Sequence, residues 1–355
     1  MPPGSRPPNR PTTAIPLRRK VETVTFTLDE ISILCVYSAM AVYAIAFIAY
    51  AIDLARRSVA ATRAVDEAKV PVAVGASAVG STEGAARPAN RAGAAASVVY
   101  GRSPALRVGV AMTVVAWLLH LTADVLRGLA AGRVPWANMY EFALTGTLII
   151  TTVFLVVLLL VKQDLRFLGT FVTGLVLVLL GVATVNFYVS VVPLPPALQS
   201  VWLVIHVFVA SSSVGFFALG FALSVVQLLQ SRRESVAETA KAVKQNFLAT
   251  LPDSITLENL AYRVNIIGFI LWTFTLMAGA IWAEKAWGRY WGWDTKEVWT
   301  FIIWVIFAGY IHARATRGWR GSRSAWLAII GFSAVLFNFT VVNLFFKGLH
   351  AYSGL

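Results

Sequence analysis

Long apolar runs separated by short polar segments set the pattern of this chain. The runs cover residues 31–52, 108–131, 142–161, 167–192, 201–229, 264–282, 299–315 and 325–346. A helix rises 1.5 Å per residue, so about 20 residues cross the hydrocarbon layer of a bilayer, which is roughly 30 Å thick. The apolar positions are continuous rather than alternating, which predicts helices and argues against a closed β-barrel. The expected fold is therefore all-α, a polytopic membrane bundle of about eight transmembrane helices.

The remaining segments divide the chain. Residues 1–30 are rich in Pro and Arg and read as a disordered basic tail. No apolar region precedes the run at 31–52, so that run is expected to stay as the first membrane anchor and not to be removed as a signal peptide. Residues 53–106, rich in Ala, Gly, Ser and Arg, read as a mobile linker. Residues 107–355 then form the main membrane domain, with a Trp-rich loop expected at 284–299.

Composition agrees with a bilayer protein. The 355 residues are 58% hydrophobic and 13% charged, with a mean hydropathy of +0.71. A net charge of +13 would suggest nucleic acid in a soluble chain. Among membrane segments an excess of Lys and Arg is first a topology signal, so membrane lipid is the expected surrounding and nucleic acid is not an expected partner. The loops at 53–106, 162–166, 230–262 and 316–324 hold most of the cations, including Arg56, Arg57, Lys162, Arg232, Arg233 and Arg320. The opposite loops hold only Arg133, Lys285, Arg289, Lys296 and Lys347. The first set is expected to be cytoplasmic, with the Trp-rich loop and the C-terminus outside a cell membrane. The basic tail would then also lie outside, against the same rule. Cys35 is the only cysteine, and neither CxxC nor CxxCH occurs, which excludes a dithiol redox enzyme and a c-type cytochrome.

Histidine is scarce: His120, His206, His312 and His350. Counted from the expected outer ends of their helices, His312 lies about 20 Å deep and His120 about 17 Å deep. His206 and His350 lie near the outer face. Two imidazoles at matching depth on different helices can ligate a haem iron axially. Zinc would want four ligands, and no Cys or acidic cluster accompanies either pair. Asp124 and Arg127 share the helix face of His120, placed either to tune it or to pair with each other.

Between two apolar runs stands "WGRYWGWDTKEVW", Trp287 to Trp299, with four Trp in thirteen residues, interleaved with Gly288, Gly292, Asp294 and Lys296. An aromatic belt explains one or two Trp at an interface, and Trp272, Trp282 and Trp326 fit that role. It does not explain this density. Flat indoles with Gly spacers form a surface for a planar apolar ligand such as haem, whose propionates would seek Arg289 or Lys296.

The stretch "WGRYWGWDTKEVWTFIIWVIFAGYIHAR" resembles the WWD signature of haem-handling proteins, and most of all the CcsA/ResC-type proteins of System II cytochrome c biogenesis. "VPWANMYEF", "PLPPALQSVWLVIHV" and "NLFFKGLHAYSG" extend the likeness from about residue 108 to the C-terminus. The resemblance implies an external haem b held by His206 and His350, with Trp287, Trp291, Trp293 and Asp294 around it. It also implies a transmembrane haem at His312, with His120 as a looser match. The implied role is delivery of haem to the outer face and its presentation for thioether attachment to a CxxCH apocytochrome c. That makes the chain a subunit of a holocytochrome c synthase with haem export activity. The implied partners are a ResB/Ccs1-type membrane subunit and a thioredoxin-like thiol reductant. A di-haem electron carrier would use the same His pairs but enclose its haem, which the external Trp surface argues against. A solute transporter with Asn186, Asn338 and Asn343 at its midplane would be expected to show a repeat, and none is evident.

Overall fold

Polar residues just ahead of the apolar runs decide where the helices begin. Ser103 with Pro104, Asn138, Asp253 and Asp294 all stand at N-caps. Asn138 accepts the Glu141 N–H at 2.9 Å and Asp253 the Thr256 N–H at 3.0 Å, satisfying donors that the first helical turn leaves open. Two helices stop at Gly132 and Gly288, whose φ of 61° and 70° turn the chain left-handed.

The structure, a computed structural model, describes residues 26–69, 103–194, 199–239, 247–316, 318–346 and 348–350. Its helices are α1 (Leu28–Lys69), α2 (Pro104–Ala131), α3 (Met139–Leu160), α4 (Gly169–Asn186), α5 (Val201–Thr239), α6 (Ser254–Trp287), α7 (Thr295–Ala315), α8 (Ser322–Phe339) and the short α9 (Val341–Phe345). Short 3-10 turns occupy Arg166–Leu168 and Phe247–Thr250. Eight spans are long and apolar enough to cross a membrane, and no strand occurs among the described residues. The all-α bundle expected from the hydropathy pattern is the fold observed.

Two long helix pairs frame it, α1 with α2 and α5 with α6, while α3 and α4 bridge them and α8 packs on α5 and α7. The core joins α3, α4, α5, α6, α7 and α8, with Phe217 stacked on Phe307 at 3.6 Å and Phe332 nearby. Apolar side chains such as Leu159, Val185 and Ile270 point outward instead, as a surface in contact with lipid requires.

Charges are paired at the two ends of the bundle. At one end Arg127, fully buried, bonds Glu141 at 3.0 Å, Asp29 at 2.6 Å and the Val189 carbonyl at 2.8 Å. Arg133 takes the other Glu141 oxygen at 2.8 Å. This knot joins the start of α1, the end of α2, the start of α3 and the chain after α4. At the opposite end Arg314 meets Glu258 at 2.7 Å and Asn259 at 2.7 Å, and Glu258 also accepts the Gly321 N–H. Asp29 ties the start of α1 into the Arg127 knot.

Several helices outrun their apolar runs. α1 continues past 52 through Asp53 and Arg57, a buried i,i+4 pair at 2.8 Å, so the linker cannot begin at 53. The remainder of that linker, 70–102, and residues 1–25 of the tail lie outside the described residues. α5 extends beyond 229 to Thr239, and α6 starts at Ser254, ten residues before the apolar run. α4 stops at Asn186, and the last span breaks at Thr340. Hydropathy marks the lipid-crossing part of a helix, whereas hydrogen bonding carries the helix on into water.

Glu141→Ala leaves Arg127 and Arg133 without their shared carboxylate. Breaking a buried pair this way costs about 3–5 kcal/mol. The expected result is a marked drop in the thermal midpoint followed by circular dichroism in detergent. An unchanged midpoint would show that the knot does not hold the bundle.

Candidate functional site

The Trp-rich bend is shorter than expected, because α6 runs through Trp287 and α7 begins at Thr295, leaving only Gly288–Asp294 outside helix. Asp294 and Glu297 form a capping box at the start of α7. Glu297 accepts the Gly292 N–H at 2.8 Å and the Asp294 N–H at 3.1 Å, which pins the bend to the helix it precedes.

Beneath the bend lies a cavity of about 240 Å³. Its walls come from α3, α4, α5, α6, α7, α8 and α9 and are mainly apolar, with Phe142, Ile150, Leu203, Val207 and Phe332 among them. Trp272, Trp282, Trp291 and Tyr290 supply aromatic faces. His206, from the second turn of α5, and His350, from beyond α9, both line it. Their rings approach the same indole: His206 stacks on Trp282 at 5.8 Å and His350 meets it edge-on at 5.4 Å.

The hydrogen bonding of the two rings is matched. His206 Nδ1 donates to the Thr275 carbonyl at 3.0 Å. His350 Nδ1 lies 2.7 Å from Asp294 Oδ2. In each ring Nε2 has no protein partner among the described residues. A fixed Nδ1 and an open Nε2 is the arrangement of a metal-ligating imidazole, with the carbonyl or carboxylate as its orienting group. Close packing preserves the arrangement at His206, because a Cβ added at Gly279 would stand 2.8 Å from its ring. The chemistry of the donor set therefore fits a haem iron.

The aromatic segment splits by task. Trp291 lines the cavity. Trp287 stands behind, its ring 4.8 Å from those of both Trp282 and His350. Trp293 is 76% exposed with a φ of 59° and faces away. Trp299 packs on Phe337 in the helical layer. Trp272 and Trp282, read as belt residues, are instead 5% and 2% exposed within the bundle, whereas Trp326 is exposed at its surface.

The other two histidines are not brought together. His120 is fully buried, its Nε2 2.9 Å from the Leu144 carbonyl and its Nδ1 3.4 Å from Tyr43 Oη, so both nitrogens have protein neighbours. Asp124 accepts from Thr145 and Arg127 joins the Glu141 knot, so neither tunes His120 nor pairs with the other. His312 is exposed in the last turn of α7. Because α7 begins at Thr295, His312 lies about 25 Å along the helix from its start. Sequence reading missed Trp282, whose spacing from the bend looks like an ordinary helix end, and Asn338 and Asn343 as cavity residues.

The Cytochrome C assembly protein family matches residues 136–350. The Cytochrome c biogenesis protein CcsA of Guillardia theta is 35% identical over 266 residues, covering 70% of this chain and 86% of that protein. The protein of the same name from Prochlorococcus marinus is 41% identical over 177 residues, 45% of this chain and 56% of that one. Among solved structures, Cytochrome c Heme Lyase CcmF superposes with a TM-score of 0.59 at 15% identity, a likeness of fold. It covers 89% of this chain, which spans 47% of the lyase.

The bond from His350 holds the Asp294 carboxyl below the usual carboxylate range. A depressed folded-state value means that the latch contributes fully above the unfolded value of about 3.9 and is lost as pH falls through the depressed one. Hydrogen exchange at 348–350 is expected to stay slow down to about pH 4, the ordinary carboxylate value, and to quicken below it. Asp294→Asn should quicken it at neutral pH as well. Equal exchange in both proteins at pH 7 would remove the latch.

Proposed function

The chain belongs to the Cytochrome C assembly protein family, and from that premise we propose that the Trp-walled cavity holds haem b for presentation to an apocytochrome. Membership makes it a multi-pass membrane protein of cytochrome c biogenesis. One observation carries the finer reading: two imidazoles line a single apolar cavity with Nδ1 fixed and Nε2 open.

In this reading His206 and His350 ligate the iron of the cargo haem, Trp291 gives it a flat contact, and Trp282 and Trp287 brace the two rings. Asp294 keeps the His350 tautomer that leaves Nε2 basic. The apolar walls exclude water, and the protein contributes orientation more than chemistry. Haem brings the vinyl groups to which the CxxCH thiols of an apocytochrome c add. Release then requires one external imidazole to give way to the histidine of the CxxCH motif. His350 is suited to that exchange, because it sits on a short segment beyond α9 rather than within a long helix.

His312, exposed on α7, supports a second haem position shared with another subunit, since a lone imidazole supplies half of an axial pair. A ResB/Ccs1-type membrane protein is the proposed partner, with a thioredoxin-like reductant for the client thiols. The excess of Arg and Lys at the opposite end argues that the Trp-rich end faces out of the cell membrane. Haem then travels from the cytoplasmic side to the outer cavity, in a holocytochrome c synthase with export activity.

Purified protein is expected to bind haem with a low-spin, bis-imidazole spectrum. His206→Ala or His350→Ala should lose that spectrum and holocytochrome formation, and added imidazole should restore both. A chain that cannot be loaded with haem, or alanine variants that keep the spectrum unaided, would sink the reading.

A further inference from the structure

The cavity has one polar corner that its apolar walls and the two histidines do not account for. Lys296, in the first turn of α7, lines the cavity beside Asn338 and Asn343. Its Nζ donates to Asn343 Oδ1 at 2.7 Å and to the Asn338 carbonyl at 3.1 Å. Both acceptors are neutral. The neighbouring carboxylates are engaged elsewhere, Asp294 with His350 at 2.7 Å and Glu297 with the backbone of the bend and Arg289. Arg127 and Arg314, by contrast, each meet a glutamate directly. An ammonium has three donors, and only two have protein partners among the described residues. Asn338 Oδ1 is also buried without a partner, and turning the amide presents a donor there instead. The ammonium thus sits in an apolar wall with only neutral acceptors in direct contact and no carboxylate bonded to it.

We infer that Lys296, backed by Asn343 and Asn338, receives a carboxylate of the cavity's ligand, which for haem is a propionate. The inference rests on the haem reading above and adds what the histidines cannot supply. Two axial nitrogens define a line through the iron, and a macrocycle held only by them can turn about that line. A third, charged contact at one side fixes the rotation. It thereby decides which edge of the ring carries the vinyl groups toward the client thiols. Lys296 is thus a positioning residue, distinct from the ligands.

The test compares iron protoporphyrin IX with its dimethyl ester, in which both propionates are neutral, by Soret titration of the full-length protein in nanodiscs. Charge-assisted contacts are worth about 1.5–3 kcal/mol, or roughly ten- to a hundredfold in affinity. Wild-type protein should prefer the free acid by that factor, Lys296→Met should lose the preference, and Lys296→Arg should keep it. Asn343→Asp supplies an internal carboxylate and should lose it while retaining the lysine, which guards against misfolding of the methionine variant. Equal affinity of the wild type for acid and ester overturns the inference, as does a preference that survives Lys296→Met or Asn343→Asp. A low-spin spectrum with either ligand leaves the histidine reading standing in that event, whereas no Soret band with either defeats both.

Discussion

A charge inside an apolar bundle must find its opposite, and that constraint organises this molecule. Arg127 meets Glu141 at one end and Arg314 meets Glu258 at the other. Each carboxylate takes further donors from a different helix, so each pair becomes a knot and not a single bond. The helices between the knots are free to be apolar all round. The cavity is the place where this rule of completion is left open, with two imidazole nitrogens and one ammonium donor lacking protein partners among the described residues. Stability is concentrated at the ends, and binding capacity is concentrated where pairing stops.

The number and type of the spans were legible because lipid imposes one pattern on any crossing helix. Helix ends were less so, since polar turns of α1, α5 and α6 obey backbone hydrogen bonding and capping, which hydropathy does not register. His206 and His350 could be grouped from depth alone because both lie near a helix end close to the Trp-rich bend. His120 and His312 could not. The depth of His312 was counted from Trp299, whereas the capping box of Asp294 and Glu297 starts α7 at Thr295. Whether a buried imidazole is open or consumed is also invisible in sequence. Tyr43 and the Leu144 carbonyl occupy His120 from helices α1 and α3, far along the chain.

The density of Trp in the bend has several causes rather than one. One indole lines the cavity, one supports a histidine from behind, one stands in the surface and one seals the helix layer. Trp293 is also the only non-glycine residue with positive φ among the described residues. Such a conformation costs of order 1–3 kcal/mol and persists only where its surroundings over-determine it. Here the capping box on one side and the end of α6 on the other leave the bend few alternatives. The aspartate of the motif matters through what it holds, since it joins the bend to a segment more than fifty residues later in the chain.

The close grouping of Trp282, Trp287 and His350 has an optical consequence. An indole emits where a haem absorbs, and energy passes between them very efficiently over a few ångströms. Both rings lie about 5 Å from His350. Any haem ligated there would therefore darken these two residues while leaving Trp326, on the lipid-facing surface of α8, less affected. The chain thus carries a built-in donor set graded by distance, through which occupancy of the cavity could be followed in an intact membrane without attaching a dye.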